Sequence, residues 1–217
     1  MRSHNRTLTP RILLLVAILL FAAQAGATNL IQNGSFQSND FTDWTIGTTS
    51  NGTWGSGYPV VTGWPLGGMN AAQGEVGEVT FDGTQQGGTL TQTFNSAGGA
   101  ATESLLWAAM ANQQNADGGE FTMILNNVQI AQFDTGTINA GQTLNGMLSA
   151  STPLLAGTNT LEIVVSRRFI TLANGGTPFQ WVTGVDVEGA VPEPSSILLL
   201  GIGALGLAGV LRRKLGF

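Results

Sequence analysis

Cysteine is absent from this 217-residue chain, His4 is its single histidine, and Lys214, near the C-terminus, is its single lysine. Residues 28–190 therefore contain no Cys, His or Lys. Ser-His-Asp and Cys-His nucleophilic catalysis, Schiff-base chemistry and the usual zinc sites each need one of these side chains. Their absence excludes those classes of enzyme and metal site for the central part of the chain.

Charge is also scarce, since 10% of the residues are charged while 42% are hydrophobic. This balance excludes a charged, disordered chain and allows one domain with terminal appendages. Between residues 28 and 190, twelve acidic residues stand against Arg167 and Arg168, which gives a net charge of −10. Such a surface repels phosphate backbones, so we expect no nucleic-acid partner.

The N-terminus has the three parts of a secretory signal peptide. Three arginines lie within residues 1–11, residues 12–23 are apolar, and Ala25-Gly26-Ala27 is a small-residue cleavage pattern. Twelve residues span only about 18 Å as a helix, which is too short for a permanent anchor. We expect residues 1–27 to be a signal helix, cut by signal peptidase after Ala27, with Ala25 as the alternative.

The C-terminus, residues 191–217, carries a second export signal. Pro192-Glu193-Pro194 precedes an uncharged stretch at 195–211, and Arg212-Arg213-Lys214 follows it. Seventeen residues reach about 26 Å as a helix, the lower limit for a transmembrane span. By the positive-inside rule the basic end stays cytoplasmic, so residues 28–190 face outward.

This tail resembles a PEP-CTERM sorting signal. The resemblance implies a Gram-negative exosortase as partner, with Pro192, Glu193, Pro194 and the basic end as recognition elements and not catalytic ones. It also implies transient anchoring in the inner membrane, then transfer to the outer surface or extracellular matrix. A plain C-terminal anchor is the alternative. Residues 201–206 match G-x-G-x-x-G, but no strand precedes them, so we reject nucleotide binding.

The body, residues 28–190, is predicted to be all-β. Short alternating apolar runs lie between frequent turn signals, among them Gly87-Gly88, Gly98-Gly99 and Asn145-Gly146. Residues 121–133 predict a hairpin turning at Asn126-Asn127. Residues 103–110 fit a helix or a central strand, and we favour the strand. About eight to ten short strands predict a single antiparallel β-sandwich of jelly-roll type.

A second resemblance concerns this body. Asn29-Leu30-Ile31-Gln32-Asn33-Gly34-Ser35-Phe36 followed by Trp44 resembles the opening of carbohydrate-binding-module-like, galactose-binding-like jelly rolls. Residues 90–94, 126–128, 156–161 and 184–187 are similarly placed. The resemblance implies a possible structural calcium, held by the acid after the opening Phe and by an acid near the last strand. Gln37 replaces the first acid, and Asp186 occupies the second position.

Only carboxylates remain as acid–base groups in the body. Glu75 with Glu78 and Asp117 with Glu120 are the candidate glycosidase pairs, although twelve carboxylates produce such spacings by chance. Asn115, Asp117 and Glu120 are oxygen donors without the spacing of an EF-hand, and a polar turn is their simpler interpretation. We predict that the protein is not an enzyme.

The aromatic residues carry the binding hypothesis. Trp54, Tyr58 and Trp64 lie in a Gly-, Ser- and Thr-rich stretch, where their rings could stack on sugar faces. Hydrogen bonds would come from Asn51, Asn70 and Gln73. The alternative is that these rings pack the loop onto the sandwich. Core positions are predicted for Trp44, Trp107 and Trp181.

Arg167 and Arg168 could bind an acidic saccharide or cap a strand at the surface. We favour the surface role. The sequence thus predicts an exported, polysaccharide-binding module. A structural or adhesive matrix protein held by exposed sheet edges is the alternative, and a carboxylate-only glycosidase ranks third.

Overall fold

The computed structural model describes residues 28–50, 52–54, 61–62, 65, 67–74, 76–78, 84–168, 179–189 and 203. The chain divides into two compact units, Thr28–Ala190 and the pair of terminal segments Met1–Ala27 and Val191–Phe217. The predicted signal helix and, apart from Gly203, the predicted transmembrane helix lie outside the described residues. Within the described part, no helix is long and apolar enough to span a membrane.

Antiparallel strands make up the body, as the sequence predicts. They are β1 (Thr28–Asn29), β2 (Thr45–Thr48), β3 (Gly52–Thr53), β4 (Val61–Thr62), β5 (Asn70–Gly74), β6 (Gly77–Glu78), β7 (Gln85–Met110), β8 (Ala116–Asp117), β9 (Glu120–Leu125), β10 (Val128–Asp134), β11 (Thr137–Ile138), β12 (Thr143–Arg168) and β13 (Phe179–Gly189). The main sheet runs β10-β9-β12-β7-β13-β5-β4, with β1 on β13 and β2 on β7. Two small pairs, β11-β8 and β3-β6, lie outside it.

Two strands of 26 residues each, β7 and β12, form the centre of this sheet. They pair in one register from Thr143↔Met110 to Arg168↔Gln85. The second half of β12 also pairs with β9, whereas the second half of β7 pairs with β13. Each long strand therefore contributes one half to each layer of the sandwich.

The long strands bend where they pass between the layers. Gly98 and Gly99 have φ values of 84° and 104°, a region that favours glycine. On β12 the bend is fixed by Asn159, which is 1% exposed. Its Nδ2 donates to the carbonyls of Leu155 at 2.9 Å and Gly157 at 3.1 Å, and its Oδ1 accepts from the Leu155 amide at 2.9 Å.

The core lies between the two layers and is predominantly apolar. In β7, β9 and β12, alternate residues enter it, as a period of two requires. The Trp107 ring stacks on Phe121 with centroids 5.1 Å apart and on Phe133 at 4.5 Å, which joins β7 to β9 and β10. The predicted core position of Trp107 is confirmed, since the residue is 4% exposed.

Two predicted turns, Gly87-Gly88 and Asn145-Gly146, are wrong, because their residues lie inside strands. Gly87 and Gly88 belong to β7, and Gly146 belongs to β12. A Cβ atom on Gly88 would lie 2.3 Å from the Trp54 ring, and one on Gly146 would lie 2.9 Å from the Trp107 ring. These glycines allow close packing instead of reversing the chain, and this is why the strands are longer than predicted.

Two other local predictions are confirmed. Residues 103–110 are strand and not helix, and they lie in the middle of the sheet. The hairpin joins β9 to β10 through Asn126 and Asn127, whose φ values of 51° and 65° suit a type I′ turn.

The opening segment, residues 29–44, folds as a loop against β13. The Asn29 side chain donates from Nδ2 to the Val185 carbonyl at 3.1 Å. Its Oδ1 accepts from the amides of Ile31 at 2.8 Å and Val187 at 3.1 Å. Phe36 is fully buried and stacks on Trp44 with centroids 5.8 Å apart. The residues that carry the family resemblance in this segment thus attach the loop to the last strand.

One carboxylate, Glu103, lies inside the core with 0% exposure. The Thr152 hydroxyl donates to its Oε1 at 2.7 Å, while its Oε2 is buried with no hydrogen-bond partner among the described residues. Burial raises the pKa of this carboxyl above the ordinary value of 4.5, because desolvation disfavours the charged form. The hydrogen bond from Thr152 opposes this effect and is weaker than it.

The Asn29→Ala variant tests the attachment of the opening loop. It removes three hydrogen bonds to the backbone, so we expect the free energy of unfolding to fall by about 1–3 kcal/mol. Asn95→Ala is the matched control, because exposed Asn95 makes a single side-chain bond, with Thr158. Equal chemical-denaturation midpoints for the two variants would contradict the attachment.

Glu103→Gln tests the buried carboxyl. Because its pKa is raised on folding, the contribution of Glu103 to wild-type stability is greatest below pH 4.5, falls as pH rises through the folded pKa, and then levels off. The variant has no such decline, so we expect its melting temperature to exceed that of the wild type at pH 7 but not at pH 4. Glu162→Gln controls for the loss of one negative charge on a half-buried side chain. Parallel pH profiles for wild type and Glu103→Gln would refute the assignment.

Candidate functional site

The candidate binding loop joins β3 to β5 and includes the two-residue strand β4. Tyr58 and Asn51 lie outside the described residues, as does Trp64. The backbone on both sides is described: β3 pairs with β6, and β4 extends the sheet beside β5 through Val61↔Ala71 and Thr62↔Asn70. The loop therefore starts and ends on paired strands. The glycan contacts of Asn51, Tyr58 and Trp64 stay a prediction.

Trp54 anchors the loop at its first end. It is 7% exposed and packs edge-to-face on Phe41, with ring centroids 6.3 Å apart. Phe41 in turn meets Phe36 at 5.9 Å, so a chain of rings links the loop to the opening segment. The Trp54 Nε1 atom is buried and has no hydrogen-bond partner within the described part of the chain. This burial favours the packing role for Trp54 over a surface for sugar stacking.

The other three described tryptophans are buried as well. Trp44 is 7% exposed, Trp107 is 4% exposed and Trp181 is 2% exposed. Trp44 also donates from Nε1 to the Asn33 carbonyl at 3.1 Å. With five tryptophans and one tyrosine in the whole sequence, Trp64 and Tyr58 are the remaining Trp and Tyr residues.

Trp181 is buried, as predicted, but in a different cluster from the main core. It groups with Ala71 and Ala108, and with the partly buried Met110 and Phe179. Its strand neighbour Val182 belongs to the main core, so Trp181 faces the opposite side of β13. The sequence did not indicate this side, because a period-two pattern shows alternation without saying which face is inner.

Two amides proposed as hydrogen-bond donors to a glycan are partly occupied. The Gln73 Oε1 accepts from the Trp181 Nε1 at 3.2 Å, which places Gln73 on the same face as Trp181. The Asn70 Nδ2 donates to the Phe36 carbonyl at 3.0 Å and to the Asn39 Oδ1 at 2.8 Å. Asn70 therefore ties β5 to the opening segment.

Among the described residues, neither candidate pair of carboxylates offers two groups that could act as catalytic acid and base. The Asp117 Oδ1 accepts from the Gly119 amide at 3.0 Å, and its Oδ2 accepts from the Arg168 amide at 2.7 Å. Both oxygens thus stabilise the backbone. Glu75 lies outside the described residues, as does the side chain of Glu78. The position of Asn115, in a turn with φ of 59°, agrees with its interpretation as a polar turn.

The calcium hypothesis rests on Gln37 and Asp186. Gln37 is exposed, and Asp186 is half-buried with an Oδ1 atom that has no hydrogen-bond partner among the described residues. Burial is the main cause that raises the pKa of Asp186, and the neighbouring Glu188 charge adds to it. Calcium takes six to eight oxygen ligands. No group of three or more His, Cys, Asp or Glu side chains that could hold a metal ion occurs in the described ranges, and one carboxylate and one amide do not make a calcium site by themselves.

The two arginines differ from each other. Arg168 ends β12 and is exposed, as expected of a strand-capping residue. Arg167 is 6% exposed, and its Nε donates to the Val76 carbonyl. The predicted surface role is therefore wrong for Arg167, which lies on the core side of β12 by the alternation of the strand.

Comparison with known sequences concerns the tail. Residues 190–214 match the PEP-CTERM protein-sorting motif. The match includes Pro192-Glu193-Pro194 and the basic residues Arg212, Arg213 and Lys214. A PEP-CTERM motif indicates an exported protein that is anchored at its C-terminus and processed. A search of the curated proteins found no match.

Comparison with solved structures returned β-sandwich carbohydrate-binding modules. TmCBM61 in complex with β-1,4-galactotriose is 12% identical, with 76% of this chain and 100% of that chain covered at a TM-score of 0.46. A putative sugar-binding protein from Bacteroides thetaiotaomicron is 8% identical, with 75% and 100% covered at a TM-score of 0.44. A promiscuous carbohydrate-binding module of the β-sandwich superfamily is 11% identical, with 76% and 64% covered at 0.42. At these TM-scores none of the three bears on which ligand this chain binds.

Proposed function

We propose that the exported body is a non-catalytic polysaccharide-binding module that contacts its ligand through Tyr58 and Trp64. The observation that carries the proposal is the burial of the other four tryptophans, each at most 7% exposed. Stacking on a sugar ring needs an aromatic face that a ligand can reach. Tyr58 and Trp64 are the Trp and Tyr residues left to meet this requirement, and both lie in the loop between β3 and β5.

The anchoring of the loop supports the same assignment. Trp54 holds one end in the core, and β4 fixes the middle to β5. Aromatic rings presented from a loop that is fixed at two points lose less conformational freedom on binding. Asn51, which directly precedes β3, is the amide that would form hydrogen bonds with sugar hydroxyls.

The delivery route completes the proposal. Signal peptidase removes residues 1–27, the tail holds the body at the inner membrane, and an exosortase that recognises Pro192-Glu193-Pro194 then processes the tail. The body, with its net charge of −10, reaches the outer surface or the extracellular matrix of a Gram-negative cell. The exopolysaccharide of the same cell is the ligand that this route makes available.

The alternative function is a structural or adhesive matrix protein without a glycan site. One observation favours it: residues 143–154 of β12 carry no charge and pair with β7 on one side but with no strand on the other among the described residues. The glycosidase alternative has less support, because both oxygens of Asp117 already accept backbone hydrogen bonds.

The Tyr58→Ala/Trp64→Ala double variant tests the binding loop. We expect its affinity for the exopolysaccharide to fall at least about tenfold, which corresponds to about 1.4 kcal/mol, because both stacking rings are lost. Affinity electrophoresis in gels that contain the polysaccharide measures the loss. Tyr58→Phe/Trp64→Phe is the matched control and should retain most of the affinity, since both positions keep an aromatic face. Unchanged retardation of the alanine variant would remove the proposal.

A further inference from the structure

The first half of β12, residues 143–154, is an edge strand, and we call it the β12 edge. On one side it pairs with β7, from Thr143↔Met110 to Leu154↔Gly99. On the other side it has no partner strand among the described residues, because β9 pairs only with the second half of β12. In an antiparallel sheet, alternate residues of such a strand direct their N–H and C=O groups away from the sheet.

The β12 edge lacks the features that usually protect an edge. None of its residues is charged, and its pairing with β7 keeps one register without a bulge. Pro153, near its end, is the one residue that removes a backbone donor. A regular, uncharged edge of this length is a template for a further strand.

Three other described edges are short or irregular. β10 carries a register shift between Gln129 and Ala131 and ends at Asp134. β2 has four residues and β4 has two, so neither offers a long ladder. Among these four edges, the β12 edge offers the longest regular ladder.

The side chains of the β12 edge are suited to contact with another strand. Met147 is 65% exposed, and Asn145, Ser149 and Ser151 on the same face are also exposed. Gly146, Leu148 and Ala150 lie on the other face, which packs against the core. Met147 supplies apolar area, and Asn145 and Ser149 can be hydrogen-bonded, whereas the Ser151 hydroxyl already donates to the Ala101 carbonyl at 3.1 Å.

We propose that the β12 edge pairs with the β12 edge of a second copy of this chain, antiparallel and about a two-fold axis. Antiparallel pairing of a strand with itself is isologous, so one surface serves both partners. Each body carries a net charge of −10, and repulsion between copies is least where a long strip carries no charge. Delivery of many copies to one surface by the PEP-CTERM motif raises their local concentration. The inference is independent of glycan binding.

Sedimentation equilibrium of the full chain in detergent tests the dimer. We expect a monomer–dimer equilibrium in the wild type and a dissociation constant at least tenfold higher in Met147→Glu, which brings two carboxylates close to the axis. Thr93→Glu adds the same charge at an exposed position of β7, away from the β12 edge, and should leave the dissociation constant unchanged. A wild-type monomer at all concentrations would overturn the proposal. A dimer that persists in Met147→Glu would do so too, since association would then use another surface or the terminal segments.

Cysteine cross-linking locates the contact, and the absence of native cysteine makes it unambiguous. Single variants Asn145→Cys, Met147→Cys, Ser149→Cys and Ser151→Cys place thiols along one face of the β12 edge. Residues nearest the two-fold axis face their own copies, so we expect disulfide-linked dimers to peak at one position and decline on both sides of it. Asn95→Cys, exposed on β7, is the control. Cross-linking that is equal at all five positions, or absent from the β12 edge, would contradict the pairing.

Discussion

The continuous pairing of β7 with β12 is the constraint on which the rest of the fold depends. One register over 26 residues decides which side of each strand faces the core in both layers at once. A one-residue slip of β12 would turn Leu161, Ile163 and Val165 out of the core together, which makes the register costly to change. Gly98, Gly99 and Asn159 allow this ladder to bend between layers without breaking.

The register also determines where aromatic rings are found. Trp107 is directed between the layers, Trp54 is held against Gly88 of β7, and Trp44 and Phe36 close the opening segment. Rings used in this way stabilise the sandwich and are not available to a ligand. We therefore propose ligand contact for the loop that carries Tyr58 and Trp64, and contact between proteins for the β12 edge. The body thus separates its stable core from the two surfaces proposed for function.

The features that the sequence predicts well are local or alternating. The Asn126-Asn127 hairpin follows from residues that tolerate positive φ, and the strand at 103–110 follows from the all-β pattern around it. What the sequence does not show is how glycines are used. Gly87-Gly88 and Gly146 resemble turn signals, yet they are needed for close approach to rings and backbone from distant strands. Such contacts depend on tertiary packing, which a local pattern does not contain.

The candidate site is less predictable from the sequence than the fold for a related reason. The Asn29 to Phe36 motif and Asn159 are prominent in the sequence, but their side chains hold the opening loop and the β12 bend. The inward position of Glu103 is also unexpected, since a carboxylate between apolar neighbours in a strand normally indicates a surface face. The side chains that can be recognised from sequence are those that maintain the fold, and they carry little information about the ligand.

Hydrogen exchange of the backbone amides measures the central constraint most directly. The account predicts that the paired amides of residues 85–96 and 101–110 of β7, together with their partners on β12, exchange last and with the same opening free energy, because one ladder joins both layers. If the two halves of β7 opened with clearly different free energies, the layers would be separate units, and the continuous β7–β12 ladder would not be what holds the sandwich together.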